Sequence, residues 1–259
     1  MDTAVVEART ASAGTVLDAG RGQVPALPQT YARVGGALYL IIIVIGALEE
    51  ALVRGRLVVP GDPTATAERI RASEFLWRAS IAGEYVLLSC AIALTVILYV
   101  LLRPVSRNLA LMVVMFNLVS VAVEAVASLH LLAALVPLGN AGYLAALDPK
   151  ASHALSYLFI RSHEFGFGIA LIFFGWVCLI EGYLIYKSGF LPKAVGVLMQ
   201  IAGVCYLINS FAVILSPPLA HALFPAILLP ALVGELSLCL WLLVKGVDVP
   251  KWRARASAS

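Results

Sequence analysis

Glutamates sit in or beside every apolar stretch of this chain but one: Glu49 and Glu50, Glu84, Glu124, Glu164 and Glu181, and Glu235. An ionised carboxylate at the centre of a bilayer costs about 2.5–3.5 kcal/mol, so such groups face each other, a cation or water rather than lipid. Burial disfavours the charged form of a carboxyl, which lets a membrane-embedded acid hold a proton near neutral pH and give it up in a reaction. The chemistry to expect is therefore acid/base. Glu124 or Glu84 is the candidate acid, Glu50 or Glu164 its partner, and His163 or His130 a base or relay, with Arg78 pairing whichever carboxylate stays charged. A zinc version fails on spacing, because adjacent His163 and Glu164 point about 100° apart on a helix, and no metal or other cofactor is expected.

Helical phase gathers further polar residues around these acids. Asn117, Ser120, Glu124 and Ser128 fall on one stripe; Ser80, Glu84, Ala91 and Thr95 form a second, and Tyr39, Gly46 and Glu50 a third. Stripes of this kind inside apolar helices point to a common cavity, with Tyr39, Asn117, His130 and Asn209 as candidate substrate contacts. The structural alternative is that the hydroxyls satisfy backbone carbonyls and neighbouring helices, and that Glu49, Glu50, Arg78 and Glu164 sit in interfacial water.

The elements that carry these residues follow from composition. With 61% hydrophobic and 13% charged residues, the chain departs far from the usual soluble balance of about 25% charged and reads as an all-α, polytopic membrane bundle. Runs able to cross about 30 Å of hydrocarbon fall near 35–53, 79–102, 109–136, 165–186, 194–215 and 222–245, six in all. ILYVLL and VVMFNLV are apolar all round, unlike the alternating strands of a membrane barrel. Six spans put Arg9, Arg21, Arg33, Arg103, Arg107, Lys187, Lys193, Lys245, Lys251, Arg253 and Arg255 on one side, and Arg54, Arg56, Arg69, Arg71, Arg78, Lys150 and Arg161 on the other. Eleven against seven places both termini in the cytoplasm. Residues 1–30 read as a disordered tail without a signal peptide, 31–248 as the membrane domain and 249–259 as a basic cytoplasmic tail. Cys90, Cys178, Cys205 and Cys239 each lie alone in a span, as small buried hydrophobes do.

Two connections carry structure of their own. Asp62-Pro63 reads as an N-cap and first-turn proline opening an amphipathic outer helix. That helix either runs into span two or lies on the membrane with Ile70, Phe75, Leu76 and Trp77 inserted. After Asp148-Pro149, residues 150–186 are too long for one upright span, and a bend is expected near Gly166 or Gly168. Gly168, Gly175 and Gly182, with Gly196, Gly203 and Ser210, recur every seven residues, the spacing of a close-packed left-handed hairpin. Gly175→Leu or Gly203→Leu should lower bundle stability by more than the same change at Gly36, which is read as lying at a membrane end.

The segments YARVGGALYLIIIVIGALEE, LVRGRLVVPGDPTATAERIRASEFLWRASI and FGFGIALIFFGWVCLIEGYLIYKSGFLPKAVGVL resemble the bacterial membrane proteins grouped as domain of unknown function 4386, over roughly residues 31–245. The resemblance implies a six-span protein of the bacterial inner membrane and carries over no catalytic residue. Function is thus read from physics alone. The sidedness of the acids favours an intramembrane enzyme acting on a lipid-soluble small molecule. A proton-coupled carrier or channel and a structural or regulatory subunit stand as alternatives. Membrane lipids are the expected partners. No nucleotide-binding loop or nucleic-acid module is present, and oligomeric state is not legible.

Overall fold

A computed structural model describes residues 28–139, 142 and 147–258; the expected N-terminal tail lies outside them up to residue 27. The crossing helices are α1 (Pro28–Leu57), α3 (Glu74–Leu102), α4 (Arg107–Ala133), α5 (Pro149–Ser188) and α6 (Lys193–Leu215), all long and apolar enough to span a membrane. The last crossing is broken: α7 (Pro217–Leu223) and α8 (Leu228–Val244) meet at 57° and make a sixth span if counted together. The break holds Pro225, which offers no N–H to continue the ladder. Among the described residues there are also two shorter α-helices, α2 (Pro63–Ala72) and α9 (Val249–Ser257), and a 3-10 turn at Val136–Leu138.

Each crossing helix packs on its neighbours in the chain, and α8 closes back on α1, so the spans form a ring. Both ends of the described bundle meet on one face, here the terminal face, where the Gln29 amide donates to Lys245 O at 2.8 Å and accepts from Val247 N at 3.0 Å. Residues 249–257, read as a tail, form α9. Its Trp252 is 2% exposed and donates to Leu101 O at 2.9 Å.

The opposite, loop face is capped by α2 and the first turns of α5. Asp62 caps α2 as expected, accepting from Ala65 N at 2.9 Å, and Thr66 Oγ1 accepts from Val59 N at 2.9 Å. The helix does not run into α3, because Ser73 breaks it at φ −133° and ψ 36°. Nor do Ile70 and Trp77 reach lipid: they are 0% and 1% exposed, packed with Leu131, Ala134 and Ile160, and Trp77 Nε1 donates to Leu131 O at 3.0 Å. An indole and an isoleucine already buried in protein gain nothing by moving into hydrocarbon. Only Phe75 and Leu76 of the four are exposed.

The α5–α6 hairpin is as close as its glycines imply. A Cβ on Gly182 would lie 2.6 Å from Gly196 O, and one on Gly203 2.6 Å from Gly175 O. Two expectations fail here. Gly168 has open space around its Cβ position, so it stands outside the seam; Gly36 packs on the α8 backbone, where a Cβ would meet Leu243 N at 2.5 Å. Closure of the ring between α8 and α1 explains the second, a contact between the chain's first and last spans that local spacing does not encode. The structure assigns one continuous α-helix from Pro149 to Ser188, through Gly166 and Gly168, and its length packs on α2.

Candidate polar sites inside the bundle

Near the loop face, α1 leaves the α-helical path. Glu49–Arg54 form a π-helical turn, with Gly55 N–H bonded to Glu50 O. In an α-helix residues five apart diverge by about 140°, whereas i→i+5 bonding stacks them on one side, and such turns frequently mark functional sites. The turn aims Arg54 inward at three helices. Its Nη2 lies 3.8 Å from Glu49 Oε2, its Nε 3.2 Å from Glu50 Oε2 and its Nη1 3.6 Å from Glu84 Oε2 on α3. Nη1 is also 3.4 Å from His163 Nε2 on α5.

Around this guanidinium the carboxylates are held by their neighbours. Ser128 Oγ is 2.5 Å from Glu84 Oε1, and Gly83 leaves room for Glu49, since a Cβ there would sit 3.0 Å from Glu49 Oε1. Glu124 lies within electrostatic reach of Glu84, Arg54 and Glu49. Within this group, buried Glu49 Oε1 and His163 Nδ1 have no partner among the described residues.

Of the residues expected at this site, Glu84 and His163 both lie beside Arg54, with Glu124 within electrostatic reach of Glu84. Glu50 touches Arg54 from the outside, its side chain 66% exposed, while Glu49 is the buried partner. Extrapolating α-helical phase from Tyr39 selects Glu50; the π turn departs from that phase. Arg78 is absent from the site. It pairs with Glu74 one turn back at 2.8 Å, both side chains about half exposed. Helix α3 begins at Glu74, so Arg78 sits in its second turn with room to reach solvent, and Arg54 takes the role assigned to it. Glu164 pairs with Arg161 on the surface of α5, close enough to feel the charges of Glu50 and Arg54. His130 Nδ1 lies 3.1 Å from Ala127 O on its own helix, and its ring packs on Phe159.

A second polar group, nearer the terminal face, was only partly legible. Tyr206 on α6 hydrogen-bonds to the Glu235 carboxylate on α8, and Tyr39 on α1 lies within electrostatic reach of it. Glu181 and Cys178 on α5 interact electrostatically with Glu235. Glu181 is 3% exposed and its Oε1 has no partner among the described residues. Among the described residues neither Glu181 nor Glu235 forms an ion pair with a lysine or arginine. Asn209 is buried on α6, three residues beyond Tyr206.

The α4 stripe leads away from the Arg54 group. Ser128 meets Glu84 at one end, Glu124 follows, Ser120 donates to Ala170 O at 2.9 Å, and Asn117 donates to Thr95 Oγ1 at the other end. Among the described residues no trio of His, Cys, Asp or Glu is placed to hold a metal ion.

The family model described as a domain of unknown function, DUF4386, matches residues 34–246, and the chain belongs to that family. It is 27% identical over 169 residues to an uncharacterised protein of Archaeoglobus fulgidus, an alignment covering 64% of this chain and 83% of the relative. No solved structure matches.

Proposed function

We propose that this DUF4386 member moves protons through the membrane along a relay of buried carboxylates. The observation that carries the proposal is the α4 stripe, which runs from Ser128, bonded to Glu84 beside Arg54, through Glu124 and Ser120 to Asn117, bonded to Thr95 on α3. From Glu49 to Tyr39 is ten residues of α1, about 15 Å at 1.5 Å per residue, half the ~30 Å hydrocarbon core. Carboxylates at two depths that face the bundle interior are the usual hardware of proton pathways. In this reading Glu50 admits protons at the loop face, Arg54 and His163 govern the charge on Glu84 and Glu124, and Glu235 and Glu181 pass protons toward the terminal face. That face carries the excess of exposed lysine and arginine, which supports a cytoplasmic assignment for it in a bacterial inner membrane.

A second reading, an intramembrane enzyme acting on a lipid-soluble molecule, is favoured by one observation: Arg54, Glu49, Glu84 and His163 converge from three helices within 3.4–3.8 Å. Sidedness no longer separates the readings, since Arg78 lies outside the site and Glu235 anchors a second group. The test is a flux assay in sealed vesicles with a trapped pH-sensitive dye and an imposed potassium diffusion potential. Wild-type protein should carry protons faster than empty vesicles, and Glu84→Gln and Glu235→Gln, which keep shape while removing the titrating group, should each return the rate to that of empty vesicles. Wild-type vesicles no leakier than empty ones would overturn the relay.

A further inference from the structure

The two faces of the bundle differ sharply in charge. On the loop face the exposed or partly exposed cations Arg56, Arg69, Arg71, Arg78, Lys150 and Arg161 are matched by the carboxylates Glu50, Asp62, Glu68, Glu74, Asp148 and Glu164. The terminal face exposes Arg33, Arg103, Arg107, Lys187 and Lys193, with four more cations between residues 245 and 255, against the single described carboxylate of Asp248.

Within the basic face lies a depression of about 450 Å³ between the α5–α6 turn and the start of α9, lined by Phe190, Leu191, Trp241, Lys245, Asp248 and Lys251. Its walls are fixed rather than loose. Gly189 and Gly246 adopt left-handed φ of 76° and 71°, and Asp248 N donates to Phe190 O at 3.1 Å. Asp248 would repel an anion, but its carboxylate is already engaged, accepting from Lys251 Nζ at 2.9 Å and Lys251 N at 3.2 Å. Lys245 has no side-chain partner among the described residues, and Trp241 is partly exposed beside it. Buried Trp252 pins α9 so that Lys251, Arg253 and Arg255 face outward.

An exposed indole beside the free Lys245 ammonium, with the Asp248-paired Lys251 next to it, where a helix leaves the membrane, combines the aromatic anchoring of the interface with the basic pockets that hold lipid headgroups. We propose that this depression is a binding site for the headgroup of an anionic phospholipid, with Lys245 and Lys251 contacting the phosphate and Trp241 packing along the glycerol and upper acyl chains. This inference is independent of the proton relay, since the lysines lie on the surface and the relay's carboxylates lie inside the bundle.

Native mass spectrometry of the purified full chain in neutral detergent tests it, titrating phosphatidylglycerol, phosphatidylcholine of the same acyl chains, and inorganic phosphate. Phosphatidylglycerol should bind more tightly than phosphatidylcholine, and inorganic phosphate should not displace it. A surface cation contributes about five-fold in affinity for anionic lipid, so Lys245→Gln should cost about that and Lys245→Gln/Lys251→Gln about twenty-five-fold, with helicity unchanged by circular dichroism. Arg253→Gln/Arg255→Gln, outside the depression, should cost less than the lysine pair. Equal binding of the two lipids, displacement by inorganic phosphate, or equal loss in the lysine and arginine pairs would each overturn the site, the last by reducing it to diffuse attraction.

Discussion

Replacing Arg54 by Gln is the sharpest test of the loop-face geometry, because sequence reading gave its role to Arg78 and the two arginines differ in surroundings. The Arg54 side chain is 25% exposed and faces Glu49 and Glu84, whose side chains are 7% and 4% exposed. At an effective dielectric of about 20, contacts near 4 Å represent roughly 4 kcal/mol of gross attraction each, most of it offset by desolvation and by repulsion between the two carboxylates. What an experiment sees is the cost of leaving buried charge uncompensated, about 3–5 kcal/mol. Arg78 and Glu74 form an exposed i,i+4 pair, a class worth about 0.3–0.5 kcal/mol. Thermal melts of the purified protein in detergent at pH 7 should therefore show Arg54→Gln falling several degrees while Arg78→Gln stays close to wild type. The double variant Arg54→Gln/Glu84→Gln, which removes one of the stranded charges, should recover part of the loss. If Arg54→Gln melts no lower than Arg78→Gln, or the double variant is no better than the single, the Arg54 hub is wrong.

Two further outcomes follow from named contacts. Gly182→Ala places a Cβ 2.6 Å from Gly196 O, about 0.8 Å inside ordinary contact, and should cost about 1–3 kcal/mol as overpacking does; Gly168→Ala meets open space and should be neutral or stabilising by up to about 1 kcal/mol. Denaturation midpoints that reverse this order would refute the seam. At Asp248, hydrogen bonds from the Lys251 ammonium and backbone hold the carboxyl below its usual range. A lowered folded value means that its contribution to α9 is intact above the ordinary aspartate range and lost only as pH falls through the lowered value. An NMR titration of the Lys251 amide should place that transition below the model-peptide aspartate value; a transition at or above it would contradict the cap.

The architecture was largely legible because each of its signals is local. Apolar runs and the Asp62-Pro63 and Asp148-Pro149 starts declare themselves within a few residues. The α4 stripe was legible for the same reason: α4 stays α-helical from Arg107 to Ala133, so one phase holds from Asn117 to Ser128. The contact of Gly36 with α8 was not, since it joins residues more than 200 positions apart.

Arg54 was hidden for a different reason. In linear order it follows Leu52-Val53 and precedes Gly55-Arg56, which reads as the basic end of a span meeting water, and at 100° per residue it projects away from Glu49. Only the π turn brings the two together, and nothing in EEALVR announces one. Widening a helix by one residue per turn sacrifices regular α-helical hydrogen bonding, so it persists where tertiary contacts over-determine it. Here those contacts are Glu84 and His163, on α3 and α5. The departure from helical phase and the polar cluster are therefore one feature: the acids on the surrounding helices supply the energy that holds α1 in a π turn, and the π turn supplies the cation that lets those acids remain buried.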